Sequence, residues 1–597
     1  MNSSKKLWTL TALTAACLHA QAHEFATENG VQGKLNGIVT FGTQIRASDP
    51  NPEAYSYVVS PSVPGVPTGK LAGQNGGPDL NFQKGDQIST VLKGVMDLDL
   101  KKNNVGVFVR ASAWQDFALG QKNAAYGNYP NGFQANTPLS DKGFDSSSQF
   151  NNAEVRDYFV YGATQLEQGQ TLDTRLGRQV LNWGGSQLIG GGIGSVINPT
   201  DFGSMYRPGA QAFESKLPVG MLSAKLAAGK AWQLEGFMAY EHRGNVYPGC
   251  GTYFDVASFI ASGCNMISFA GHSEQWNLAN NNYVHRTPDI TPSGPKHFGF
   301  AYGFKSEALA TDLKLYALKT VSVAPSYRMT VNRLPTSTLD VGATNYGLIY
   351  PENVSVFGTS FSKKINPELT AYGELAYRPN QPLSFNASDL LSGFTSSSNT
   401  TLLNIAKNIK AISPGGTFDA YDRFDVFTGS VGVNQVFPKA LNAEKVSVTS
   451  EIGFSHVSAL PDPSVLRFGR GTAYGSAAYV GGAACVDSAS GKVVGKSCTT
   501  DGYTSSDAWG VRLVASASYA NALAGATLTP SIALGKDIKG YSYDSTFSEG
   551  RATVRPSVRA EWNKTYFADF QYTRFSGGNY NLLVDRDYYS LVGGMRF

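Results

Sequence analysis

The sequence ends on Asp587-Tyr588-Tyr589-Ser590-Leu591-Val592-Gly593-Gly594-Met595-Arg596-Phe597, a strand with two unlike faces. With the two-residue period of a β-strand, Tyr589, Leu591, Gly593, Met595 and Phe597 share one face, and Tyr588, Ser590, Val592, Gly594 and Arg596 the other. One face suits lipid and the other is mixed. A single strand cannot satisfy its backbone in hydrocarbon, so this pattern implies a sheet closed into a barrel.

The terminal aromatic resembles the closing signal of bacterial outer-membrane proteins, so Phe597 is expected to address the barrel assembly machinery. The other end agrees. Lys5 and Lys6 precede an apolar stretch from Leu7 to Leu18, followed by Ala20-Gln21-Ala22. That is the order of a secretory signal, residues 1–22, leaving one barrel domain over 23–597. A lipobox at Cys17 is the rival, but Thr14 stands where Leu is wanted. Removing Lys5 and Lys6 from 49 basic residues leaves 47 against 45 acidic ones, so the mature chain is nearly neutral and offers no basic face for nucleic acid.

Period-two alternation recurs over 34–46, 88–100, 104–117, 154–166, 171–181, 220–229, 231–243, 296–305, 310–322, 353–364, 368–378, 424–437, 445–458, 507–519, 526–536, 550–564, 566–575 and 587–597. These eighteen segments predict an all-β, transmembrane antiparallel barrel of 16–18 strands. Short gaps such as Asn366-Pro367 alternate with long ones such as 47–87, 118–153, 182–219 and 244–295. Short periplasmic turns and long external loops produce this order, and a soluble sandwich does not require it. The lipid and lipopolysaccharide of the outer membrane are then the expected surroundings.

The mature cysteines form two local pairs, Cys250 with Cys264 and Cys485 with Cys498, both within long gaps. In an exported chain these predict two loop disulfides. Neither pair has CxxC spacing, so no metal is expected, and no motif asks for a cofactor.

Two features bear on function. Arg551, Arg555 and Arg559 repeat every four residues, which places them about 13 Å apart at a strand's rise of roughly 3.3 Å per residue, on the face opposite Val554 and Val558. Arg512, Arg110, Lys93 and Arg46 are expected inside with them, and Glu374, Glu451, Asp569 and Glu561 are acidic partners. Such a wall either lowers the barrier for an anion or pairs internally. The second feature is the 182–219 gap, with Trp183, a glycine run over 184–194, Asn198, Asp201, Phe202, Tyr206, Arg207 and Glu214. It is too apolar for a solvated loop and is expected to fold into the lumen as a constriction. A plug without a ligand is the alternative.

Gly177-Arg178-Gln179-Val180-Leu181-Asn182-Trp183-Gly184, Asn198-Pro199 and Arg207-Pro208-Gly209-Ala210 resemble the hallmark segment of a proteobacterial outer-membrane family catalogued as domain of unknown function 1302. The resemblance runs from signal to terminal aromatic. It implies the barrel and, through the family's association with catabolism of hydrophobic compounds, an uptake role. It implies no catalytic residue.

The sequence therefore points to a non-enzymatic, porin-like channel for a small hydrophobic or anionic organic solute, its lumen narrowed by 182–219. Two other classes stand beside it: a closed structural barrel docking a periplasmic component, and a barrel hydrolase acting on lipid or ester. The sequence has no GxSxG or HExxH motif for the last.

Overall fold

The computed structural model describes residues 23–52, 62–69, 77–229, 231–269, 272–294, 297–475 and 499–597. The expected signal peptide lies outside them. Of the two expected disulfides, the described residues hold one, between Cys250 and Cys264. The second expected pair, Cys485 with Cys498, is not seen as a bridge, because both Cys485 and Cys498 lie outside the described residues.

Within the described residues, eighteen strands form the barrel. In chain order, β1 to β18 are Gln32–Arg46, Gln87–Lys102, Val105–Asp116, Asn151–Gln165, Gln170–Gln179, Val219–Ala228, Trp232–Ala239, His297–Ser306, Thr311–Thr320, Val354–Lys364, Leu369–Ser384, Tyr421–Pro438, Lys445–Val457, Asp507–Leu523, Ala526–Lys539, Ala552–Trp562, Tyr566–Ser576 and Tyr588–Arg596. Each expected segment has one counterpart. Every strand pairs antiparallel with the next, and β18 returns to β1 in a register running from Ile38 opposite Arg596 to Arg46 opposite Tyr588. The sheet has no free edge, and the protein is an outer-membrane barrel.

At the seam the Phe597 ring lies over Gly37, where an added Cβ would come within 2.2 Å of the ring. Glycine there lets the terminal aromatic lie flat on its neighbour strand. A short strand, His23–Ala26, continues the pairing of β1 beyond the seam, opposite Gln32 to Leu35.

The outer surface follows the alternation. Phe41, Phe300, Leu315, Phe357, Val431 and Leu591 are all exposed, which water would punish and a bilayer rewards. The interior faces are tied down by the long loops, which build an external cap. Phe82, Phe144, Phe150, Tyr253 and Phe254 form one apolar cluster of it, around the Cys250–Cys264 disulfide. A second cluster joins Met329, Tyr346, Phe385, Leu391 and Phe468. It includes a three-stranded sheet of Ser326–Val331, Thr344–Ile349 and Thr417–Asp419 with helices Ala387–Thr395 and Leu402–Lys407. These elements fall in gaps of the sequence alternation.

β11 also runs past its expected end at residue 378. A register shift between Arg378 and Gln381, beside Pro379, lets pairing with β12 continue to Ser384.

The cap is locked to the barrel by a buried charge cluster. Arg46 from β1 reaches Asp79 at 3.0 Å and Asp585 at 2.8 Å, and Arg586 reaches Asp79 at 2.6 Å. Both guanidinium groups lie 5.4 Å from the Tyr253 ring. Arg46, expected to line the lumen, instead joins the first, fourth and last external loops to the wall.

Candidate functional site: a lumen bridged by an infolded segment

The connection from β5 to β6 leaves the rim and crosses the lumen. Its two ends are joined by one side chain. Asn198 accepts from the Leu181 amide at 2.9 Å and donates to the carbonyls of Gln179 at 3.1 Å and Leu217 at 2.9 Å. From this staple, two limbs reach opposite walls.

The glycine-rich limb docks on β7 to β13. Trp183 packs on Phe237 and Tyr316 and donates from Nε1 to Glu235 at 2.7 Å. The Glu374 carboxylate of β11 accepts from the amides of Gly185 at 2.6 Å, Ser186 at 3.3 Å and Ile193 at 3.0 Å. A Cβ on Gly192 would lie 1.7 Å from its Oε1, so the glycine is required by the close approach of backbone to carboxylate. Glu451 of β13 holds the next turn, accepting from Gln187 N at 3.0 Å, Leu188 N at 2.7 Å and Ser186 Oγ at 2.5 Å. Arg378 supplies the opposite polarity, donating to the carbonyls of Gly191 at 2.8 Å and Gly192 at 3.0 Å. The run folds as an anion-binding backbone cradle, with two wall carboxylates as its anions.

The second limb covers β1 to β4. Asp201 caps the Phe202–Met205 turn through Ser204 N and pairs with Arg156 at 3.2 Å. Arg207 lies 4.0 Å from the Trp114 ring and donates to the Ser147 carbonyl at 2.5 Å. Burial pulls its pKa down, against the pull of Glu214 and Asp201. Glu214 is buried against Lys93. Burial pushes its carboxyl up, but the Lys93 ammonium overcomes this and leaves it below the usual range. Tyr206 stacks on Phe254 at 4.2 Å, tying the limb to the cap.

One sector of wall is left uncovered, β14 to β17. Where the segment docks, Lys93 is 0%, Glu374 7% and Glu451 3% exposed, whereas the Arg559 side chain is 40% exposed. Thr529, Ser531 and Ala533 of β15, half-buried, are short and leave room. On this sector Arg559 makes a bidentate pair with Asp569 at 2.6 and 2.7 Å. Arg512 and Arg551 share Asp537 at 2.7 Å each, and Arg596 of the adjoining β18 takes Glu561 at 2.7 Å. Arg555 is exposed, and its side chain makes no hydrogen bond or ion pair to another described residue. Five guanidinium groups against three carboxylates leave two positive charges on this wall.

The model of one protein family, described as "Protein of unknown function (DUF1302)", matches residues 5–597. The chain belongs to the DUF1302 family. No curated protein matches it. Among solved structures it is similar to the outer membrane channel DcaP of Acinetobacter baumannii, at 8% identity and a TM-score of 0.36 over 96% of this chain and 99% of that one. It is also similar to OccAB4 of the same organism, at 6% identity and a TM-score of 0.41 over 97% and 100% of the chains. A BenF-like porin from Pseudomonas fluorescens Pf-5 gives 8% identity and a TM-score of 0.41 over 95% and 98%. At such values the likeness says nothing about what either barrel carries.

In this DUF1302 chain the expected constriction residues Trp183, Asn198, Asp201, Tyr206, Arg207 and Glu214 all belong to the one bridging segment. The expected arginine partners are corrected in detail. Glu374 and Glu451 do not meet the arginines; they hold the glycine cradle. Arg110 pairs with Asp97 at 2.6 Å on the far wall, with its guanidinium 4.0 Å from the Phe213 ring. Arg551 sits just before the start of β16 at the rim, so of the three-arginine ladder only Arg555 and Arg559 stand on the strand itself. Arg378 and Arg156, central to docking, carry no motif in the sequence. A signal existed for Arg378, which follows Glu374 by four residues on the same inward face.

Proposed function

We propose that this protein is a porin-like channel for passive, selective passage of a small organic anion, along the sector between the bridging segment and β14 to β17. The observation that carries the reading is the exposed Arg555, unpaired among the described residues, on the one wall sector the segment leaves bare. A cationic wall in a narrow, partly desolvated lumen attracts anions, and neighbouring paired arginines keep each contact weak enough for release. Arg512, Arg551 and Arg559 then act as graded, partly neutralised stations before and after Arg555. No step of this process forms or breaks a covalent bond.

A second reading, a closed barrel docking a periplasmic component, is favoured by one observation. Arg110, Arg512, Arg551 and Arg559 all hold carboxylate partners, as a filled lumen requires.

Liposome swelling separates the two. Proteoliposomes in isotonic organic anions should swell several-fold faster than in neutral or cationic solutes of equal size. Equal rates for the three would remove selectivity, and no swelling in any would favour the closed barrel.

A further inference from the structure

On the external side, where the bridging segment returns to β6, the cap encloses a cavity of about 190 Å³. Leu217, Ile260 and Leu348 form an apolar side. Arg243, Arg286 and Tyr350 stand on the polar side, with Asp145 and Asp289.

The charges in it are unevenly matched. Arg286 is committed: it reaches Asp289 through Nε at 3.1 Å and Nη2 at 2.7 Å, and its Nη1 donates to the Ala261 carbonyl at 2.8 Å. Arg243 is not. Its guanidinium donates to the Pro218 carbonyl at 3.0 Å and has no ion-pair partner among the described residues. The two neighbouring glutamates are taken, Glu241 by Arg178 at 2.5 Å and Glu154 by Arg156 at 3.1 Å. Asp145 hydrogen-bonds with Ser262 and feels Arg286 more strongly than Arg243. The Tyr350 hydroxyl makes no hydrogen bond to another described residue, and its ring is held edge-on by His242 at 4.7 Å.

A half-buried guanidinium without a counter-ion is costly in free energy, and a carboxylate entering the cavity would relieve that cost. The space matches a single ring: an enclosed cavity of about 150 Å³ accommodates benzene. We propose that this cavity is an external capture site for a small organic carboxylate with an apolar body. The carboxylate is held by Arg243 and the Tyr350 hydroxyl, and the body lies against Leu217, Ile260 and Leu348. This deepens the channel reading, on which its purpose rests, by naming the class of anion delivered to the lumen.

The test is calorimetric titration of the full-length protein in detergent with benzoate, and with benzamide as its neutral counterpart. Benzoate should bind at one saturable site, and benzamide roughly tenfold to a hundredfold more weakly, the range expected for one charge-assisted contact. Arg243→Gln should bring benzoate down to the affinity of benzamide, and Arg243→Lys should recover part of it. Heat-modifiable migration on gels verifies that each variant is a folded barrel. Should Arg243→Gln not fold, the comparison of ligands on the natural protein still decides. Equal affinities, no saturation with benzoate, or an undiminished benzoate affinity in folded Arg243→Gln would each overturn the capture site. Absent binding with anion-selective swelling intact would remove this site and leave the channel. Binding intact without swelling would remove the channel and leave the site.

Discussion

Glu374→Ala should release the glycine-rich limb from the wall. The carboxylate accepts three backbone amides, at 2.6, 3.0 and 3.3 Å, and the longest contributes least. A hydrogen bond to a charged acceptor contributes about 1.5 kcal/mol net at the low end, so two good bonds and one weak one amount to about 3–4 kcal/mol. At about 1.4 kcal/mol per tenfold, the population with the Gly185, Ser186 and Ile193 amides released should rise roughly 10²- to 10³-fold. The release is local, because Glu451 and Arg378 still hold Gln187, Leu188 and the Gly191 and Gly192 carbonyls. Alanine is the informative change, since glutamine would keep an acceptor in place. Hydrogen–deuterium exchange of the peptide spanning 184–194, in detergent micelles, reads the population directly. The amides of Gly185, Ser186 and Ile193 should lose protection by the stated factor while the β1 and β18 amides keep theirs. Unchanged protection of those three amides would refute the claim that a wall carboxylate holds the constriction.

Arg555→Glu should shift ion selectivity from anions toward cations in a reversal-potential measurement, whereas Arg559→Gln should shift it less, because Asp569 already offsets that charge. Lys93→Met leaves Glu214 buried without its counter-charge and should destabilise the barrel by about 3–5 kcal/mol, read as a lowered temperature of heat-modified migration. Burial holds His242 down from 6.5 to about 4, so its neutral form is the one folding favours. That stability is whole above pH 6.5 and falls by roughly 3 kcal/mol as pH drops toward 4, and this fall, read by protease sensitivity of the cap, should be smaller in His242→Asn than in the natural protein. Reducing the Cys250–Cys264 bridge, which closes a 14-residue separation, should cost the fourth external loop about 3 kcal/mol and speed its cleavage by protease.

The barrel was legible in the sequence because its rule is local. Val554, Val558 and Trp562 against Arg555, Ser557 and Arg559 state the two faces within one strand, and the alternation of gaps states the sidedness. The bridging segment was legible for a similar reason: six glycines and a tryptophan between Asn182 and Ser195 do not suit a solvated loop. What was not legible is which side chains meet across the lumen. Nothing near Glu374 says that its partners are amides about 190 positions earlier, rather than the arginines of later strands. The same holds for Asp79, whose partners are Arg46 and Arg586, 33 and 507 positions away. The strands hidden in the 323–352 gap are short, six residues each, and their alternation is too brief to separate from loop. β11 outruns its expected end at 378 because a bulge lets pairing continue where the regular alternation stops.

An open, anion-preferring path beside Arg555 is measurable as current through purified protein in a planar bilayer under a salt gradient. A steady single-channel current with an anion-selective reversal potential, growing in size when residues 184–194 are deleted, is the predicted result. No current from the natural protein and none from the deletion, with both folded by gel migration, would contradict it.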